Sequence, residues 1–266
     1  MGPLRAEQGF ISKYEARVQQ AAAAEPHWAT PLITIAPRVE QGFRSDFARQ
    51  SLTGGQQTWN LGNTRGLQLV PFQRVEVRFS PPPFITHTDP RVSDGFGDVA
   101  FRLKYRLYGS NEEHHNAIVT AILGASVPTG KNTNGSCCAL LTPTLGFGKG
   151  YGKLDLVSTI GGSLPLSNTA NLGRQIAWNN ALQYHASRLI WVETEFNSTF
   201  YYGGANDGKS QTFVTPGVFL SRIPLPHRSS GKPGQLMLTL GIGEQIALTH
   251  YNTYNHSPIV TARLRF

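Results

Sequence analysis

From Val99 to Leu107 every second residue is apolar: Val99, Phe101, Leu103, Tyr105 and Leu107. Ala100, Arg102, Lys104 and Arg106 sit between them. Side chains of a β-strand alternate between two faces, so this stretch makes a strand with one greasy and one cationic face. Two architectures accept such a strand. In a soluble β-sandwich the greasy face packs on a core and the other meets bulk water. In a transmembrane barrel the greasy face meets lipid and the charged face meets a lumen.

The rest of the chain favours the barrel. Val39 and Phe43 alternate with Arg38, Glu40, Arg44 and Asp46 in a strand expected over Ile33–Phe47. Val75, Val77 and Phe79 alternate with Arg74, Glu76 and Arg78, up to a break at Ser80-Pro81-Pro82-Pro83. Leu154, Leu156 and Ile160 oppose Asp155. Ile190, Val192, Phe196 and Phe200 oppose Glu193, Glu195 and Asn197. Val260, Ala262, Leu264 and Phe266 oppose Thr261, Arg263 and Arg265. With the intervening stretches this gives about twelve strands of about 10 residues each, the length a tilted spanning strand needs. An even count lets the first strand pair with the last and leaves no open edge.

Connections after alternate strands are mostly long and rich in Gly, Asn, Ser and Thr, whereas those after the second, sixth and eighth are tight. Long loops on one rim and short turns on the other is the outer-membrane pattern. Gly109–Asn116 and Pro224–Gly234 are longer than that rule prefers.

Composition agrees. Charged residues are 15% of the chain, against about 25% in ordinary soluble domains. No apolar run approaches the roughly 18 residues of a spanning helix. The net charge of +8 and pI near 9.7 raise nucleic acid as a partner. The cations are dispersed through alternating strands, however, and form no basic run, so nucleic acid is not expected.

The expected fold is therefore all-β: a transmembrane antiparallel up-and-down barrel of about twelve strands with a short N-terminal helical segment. Residues 1–28 form that peripheral segment and 29–266 the barrel. Ser12–Ala24 favours helix by propensity, with Ser12 and Glu15 at capping-box spacing. Met1–Ala24 has no apolar core of the kind an export signal carries, so a signal is expected upstream of this sequence or a start other than Met1. The terminal Phe266 on an alternating strand resembles the assembly signal of bacterial outer-membrane barrels. It implies the barrel-assembly machinery and outer-membrane lipid as partners.

A charge on the lipid face at mid-bilayer costs about 2–4 kcal/mol, which places the charged faces inside. The candidate lumen set is Arg38, Glu40, Arg44, Arg74, Glu76, Arg78, Arg102, Lys104, Arg106, Asp155, Glu193, Glu195, Arg263 and Arg265. Closure would bring Arg263 and Arg265 beside Arg38 and Glu40. Such a set either selects solutes at a constriction or fills the barrel with ion pairs. Twelve strands leave little width beyond the side chains.

Motifs for chemistry fail on inspection. Gly124–Lys131 has the wrong spacing for a phosphate loop, and Asn132 stands where Ser or Thr is required. Gly146–Gly152 reads as a hairpin turn. A lipid hydrolase needs a Ser with a His base. Adjacent His256 and Ser257 would point to opposite faces of a strand, and His87 with Ser93 offers only residue types. His114-His115 reads as a solvated turn. The adjacent Cys137 and Cys138 lack the separated partners of a metal site and form either a vicinal disulfide or two loop thiols. Neither cofactor nor catalytic residue is assigned, and an enzyme is not expected.

Arg65-Gly66-Leu67-Gln68-Leu69-Val70, Gly95-Phe96-Gly97-Asp98 leading into Lys104-Tyr105-Arg106-Leu107, Val127-Pro128-Thr129-Gly130 and Val192-Glu193-Thr194-Glu195 together resemble the family named for the MetA pathway of phenol degradation. The resemblance covers Ala29 to Phe266. It implies an outer-membrane transporter of Gram-negative bacteria for passive uptake of small hydrophobic or aromatic compounds, with no catalytic residues. The N-terminus, without a signal, departs from that pattern. A narrow anion-selective porin is the alternative that the lumen Arg and Lys residues favour, with a lipid hydrolase or soluble sandwich behind it.

Overall fold

The structure, a computed structural model, describes residues 9–63, 65–225 and 236–266. Fifteen strand pieces join in one antiparallel sheet whose last piece pairs back onto its first. Three wall strands are each broken in two, so the closed barrel has twelve. They are β1 (Gly42–Ser51), β2 (Gln57–Gly62 with Leu67–Phe72), β3 (Val75–Ser80 with Phe84–His87) and β4 (Gly95–Phe96 with Val99–Ser110). The unbroken strands follow: β5 (Ala117–Val127), β6 (Leu140–Tyr151), β7 (Leu154–Pro165), β8 (Arg174–His185), β9 (Ile190–Tyr202), β10 (Ser210–Pro224), β11 (Met237–Ala247) and β12 (His256–Arg265).

The seam sets Gly42 against Arg265 and Arg44 against Arg263. The seam leaves neither β1 nor β12 as an open edge, which a bilayer demands because it supplies no competing donor or acceptor. The rim holding Gly42 and Arg265 also carries the connections 73–74, 111–116, 152–153, 186–189 and 225–236; it is the near rim below. The far rim carries 52–56, 88–94, 128–139, 166–173, 203–209 and 248–255. At the tightest near-rim turn Gly152 adopts φ of 60°, the left-handed conformation that a two-residue hairpin needs and a side chain resists.

Alternation places apolar side chains outward on every strand. On β9, Ile190, Val192, Phe196 and Phe200 are exposed while Trp191, Glu193, Glu195 and Asn197 are buried. The exposed belt continues through Leu103, Ile160, Leu182, Ile242 and Val260. A soluble sheet would bury these residues; here the apolar side faces out and the polar side is sealed in, the inversion lipid imposes.

The breaks in β2, β3 and β4 lie side by side. Pro81, Pro82 and Pro83 have no N–H to offer a ladder, so β3 stops after Ser80. Pairing then resumes at Phe84. Gly97 donates its N–H to Pro83 O at 2.8 Å, and a Cβ there would lie 3.0 Å from Asn134 O. The Asp98 carboxylate accepts from the Gly130 N–H at 2.8 Å and the Ser136 N–H at 2.7 Å, folding the 128–139 loop onto the wall. The Gly95–Asp98 and Val127–Gly130 motifs thus meet in one joint.

Two expectations shift. The N-terminal helix, α1, spans Phe10–Ala23 with Gly9 at its cap; Ser12 lies inside it and donates its hydroxyl back to Gly9 O at 2.8 Å. Residues 1–8 of the expected N-terminal segment lie outside the described residues. The strand expected over Ile33–Phe47 begins only at Gly42. Residues 24–41 form neither helix nor strand and lie within the barrel, because Pro26, Pro31 and Pro37 interrupt any ladder there.

The outward belt predicts that Ile242→Arg, mid-strand on β11, destabilises the lipid-embedded barrel by about 2–4 kcal/mol in urea titrations of vesicle-folded protein. An inward Arg at Thr215 serves as the comparison. Equal stability of Ile242→Arg and wild type would contradict the assigned face.

Candidate functional site: a lumen filled by a re-entrant loop

Residues 24–41 enter from the end of α1 at the near rim, reach the middle of the lumen and return to the near rim at Gly42. A backbone without a ladder still needs partners for its N–H and C=O groups. The wall supplies them from side chains. Glu195 accepts the Ile33 N–H at 2.8 Å and the Thr34 N–H at 2.6 Å, and Glu193 accepts the Leu32 N–H at 3.0 Å. Across the lumen Arg44 donates to Pro31 O at 3.1 Å and Leu32 O at 2.6 Å, and Arg65 donates to Leu32 O at 3.0 Å. Arg263 donates to Pro31 O at 2.7 Å and to Thr30 O.

The returning arm is held the same way. Thr120 Oγ1 donates to Pro37 O at 2.6 Å, and Lys104 Nζ donates to Arg38 O at 2.8 Å. Glu76 accepts from the Glu40 N–H at 2.8 Å and from Lys104 at 2.9 Å. Glu25 pairs with Arg106 at 2.8 Å and accepts the Val39 N–H at 3.1 Å, tying the two arms together. Charge-assisted bonds of this kind are the strong class, and they lie where water is excluded.

Apolar packing completes the seat. Trp28 and Leu32 are fully buried against Ile118, Val157, Ala181, Trp191 and Phe219 of the wall. The lumen makes room for them with glycines. A Cβ on Gly148 would stand 2.3 Å from the Trp28 ring, and one on Gly217 or Gly243 would stand 2.5 or 2.4 Å from Leu32 Cδ1. Trp28 Nε1 donates to Asn116 Oδ1 at 3.0 Å, so its one polar atom is satisfied.

The structure brings thirteen of the fourteen candidate residues to the interior or its near mouth. Arg44, Glu76, Arg78, Arg102, Lys104, Arg106, Asp155, Glu193, Glu195, Arg263 and Arg265 project inward from strands. Arg38 and Glu40 pair with each other on the loop rather than on a first strand. Arg74 is the correction: it lies exposed in the 73–74 turn rather than on a strand, because β2 runs through Pro71 to Phe72 and reverses at Gln73 and Arg74. Asp155 bonds His185 near the near rim. Sequence reasoning assigned no role to Glu25, Trp28, Leu32 or Thr120, and noted Asp46 and Arg65 only as members of a strand and a motif. Arg44 and Arg65 both reach Asp46, at 2.7 and 2.8 Å.

Above the loop tip, polar and aromatic side chains of the wall project into the far half. Asn197 donates to Thr34 Oγ1 at 3.3 Å, Tyr254 OH donates to Gln245 at 2.5 Å, and Phe213 stacks on Tyr254. A cavity of about 630 Å³ lies between α1 and the near rim, lined by apolar Ile11, Val18, Val39, Met237 and Phe266 and by charged Glu15, Glu25, Arg38, Glu40 and Arg265 among others. The rejected hydrolase pair behaves as alternation requires: Ser257 is buried, while the His256 ring turns to Glu244 at 2.8 Å. Cys137 and Cys138 are free thiols.

Fold and lumen together define a twelve-stranded transmembrane barrel with an internal N-terminal loop. Among solved structures, the chain is similar to an outer membrane channel from Pseudomonas putida F1 (TM-score 0.60, 13% identity, covering 90% of this chain and 100% of that one). It is also similar to the NanC porin (TM-score 0.51, 11% identity, covering 85% and 98%). No family model and no curated protein matches the chain. At these identities the likeness establishes the fold.

Two outcomes follow. Glu195→Ala strips two buried N–H groups of their acceptor, which costs the seated loop about 3 kcal/mol; limited proteolysis should then cut within residues 25–41 faster than in wild type. At the near rim, Glu112 accepts the His27 N–H and meets the His27 ring at 2.9 Å. Burial pushes its carboxyl up, but the His27 bonds outweigh this and hold it below the ordinary value. A depressed carboxyl stabilises above its ordinary titration range and loses that contribution as pH falls through its folded value. Acidification through the carboxylate range should therefore increase cleavage near His27, and Glu112→Gln should remove that pH dependence.

Proposed function

We propose that this protein is an outer-membrane channel for passive passage of small solutes, closed at rest by residues 24–41. The observation that carries the reading is the loop itself. A barrel with an apolar outer belt encloses a segment fastened by side-chain bonds rather than by a ladder, so it can be released without breaking the wall. The fold likeness to two outer-membrane porins and channels supports the same class.

For the solute, small hydrophobic or aromatic compounds fit best. The sequence resemblance implies them, and the near-rim cavity offers apolar walls in the size range of small-ligand sites. Anion-preferring passage is a second reading, favoured by the surplus of arginine over carboxylate on β1 to β4.

The test is a reversible lock. Thr34 Oγ1 and Asn197 Nδ2 are 3.3 Å apart. Thr34→Cys with Asn197→Cys, in a Cys137→Ser, Cys138→Ser background, should cross-link the loop tip to β9. Planar-bilayer recordings should be silent when oxidised and show discrete openings after reduction; deletion of residues 24–41 should leave the barrel continuously open. Equal conductance in all three states would overturn the reading. The reversal potential under a salt gradient separates the two solute classes.

A further inference from the structure

The lumen wall beside the loop tip has more cations than the loop and the carboxylates use. Arg44 and Arg65 share Asp46, and Lys104 takes Glu76. Arg78 and Arg102 are left over. They face each other across the β3–β4 ladder, and among the described residues neither makes an ion pair or a side-chain hydrogen bond. Arg78 is only 5% exposed, and its Nε is buried with no partner. Two positions along the same inward face, the Ser80 hydroxyl is likewise buried and unpartnered.

Arg44, Arg65, Arg78 and Arg102 line one small cavity with Lys104, Arg263 and Thr34–Ala36 of the loop; Glu40, already paired with Arg38, is the one carboxylate in the lining, so cations outnumber it six to one. Guanidinium groups donate and cannot accept. A second arginine therefore cannot satisfy the first, and their mutual repulsion grows as water is excluded. What satisfies Arg78 and Arg102 must accept hydrogen bonds and carry negative charge. The cavity measures about 20 Å³, room for one or two water-sized occupants. A monatomic anion matches that room better than a bulky organic carboxylate does.

We propose that Arg78 and Arg102, backed by Arg44 and Arg65, bind one chloride-sized anion between the barrel wall and the loop tip. The site stands whether or not the barrel conducts. It joins the loop to the wall at the level where β2, β3 and β4 are broken and their ladder is weakest.

The test uses the full chain folded in detergent. Chloride and gluconate are compared at equal ionic strength, gluconate being too large for the cavity. At a chloride concentration ten times its Kd, the folded-to-unfolded ratio in urea should rise about tenfold over gluconate. The double variant Arg78→Gln, Arg102→Gln should fold and show no difference between the salts. An equal chloride response in variant and wild type, or none in wild type, would overturn the proposal. Should the double variant fail to fold, bromide-soaked crystals of wild type decide by anomalous scattering: a peak between the two guanidiniums supports the site, and its absence refutes it.

Discussion

The structure depends on a backbone being satisfied by side chains. In a twelve-stranded wall every ladder bond is internal, which closes the edge but offers nothing to a segment inside. Residues 24–41 therefore take their partners from inward carboxylates, guanidiniums and hydroxyls. The charge content of the lumen follows from this. Glu193 and Glu195 face N–H groups, while Arg44, Arg65 and Arg263 face carbonyls on the other side of the same turn of chain. The loop has a donor side and an acceptor side, and the wall matches each with the complementary charge. A lumen rich in ionisable groups need not be an electrolyte-filled pore; here many of those groups act as fixed peptide-binding dipoles.

Packing adds direction to the electrostatics. Trp28 and Leu32 enter seats cut by Gly148, Gly217 and Gly243, so only one depth of insertion buries both. Hydrogen bonds alone would tolerate a slip of the loop by one residue. The indole, bonded through its nitrogen to Asn116, fixes the register near the mouth, and Leu32 fixes it at the tip. Truncating a tryptophan buried in this way costs on the order of 3–5 kcal/mol.

Most of the wall was legible in the sequence because alternation is a local property that a bilayer enforces strand by strand. The interior positions of Glu76, Arg78, Arg102, Lys104, Arg106, Glu193 and Glu195 follow from parity alone. The loop was not legible by the same rule, since Val39, Glu40, Phe43 and Arg44 continue the alternation across a boundary between two structures. The discriminating signal was Pro37 in the middle of the expected strand, with Pro26 and Pro31 before it: a ladder does not tolerate that spacing of missing N–H groups. Arg74 was misplaced for a related reason. Pro71 reads as a turn, yet at this position it sits inside β2 beyond a register irregularity, and the reversal falls on Gln73 and Arg74. What parity cannot give is who pairs with whom; Asp46 collecting Arg65 as well as Arg44 depends on the break in β2, which is a tertiary feature.

Both arms of the loop pass through the same rim, one continuing into α1 and the other into β1. Topologically it is a bight rather than a thread. Pulling it out moves no chain end through the barrel and ties or unties no knot, so withdrawal is limited only by the contacts that hold it. The same geometry bears on biogenesis. The bight and β1 are contiguous, whereas its anchors on β9 and β12 lie some 161 to 233 residues later, and the two come together only when the seam shuts. The nascent barrel can therefore close first and be stoppered afterwards, from the rim at which α1 lies.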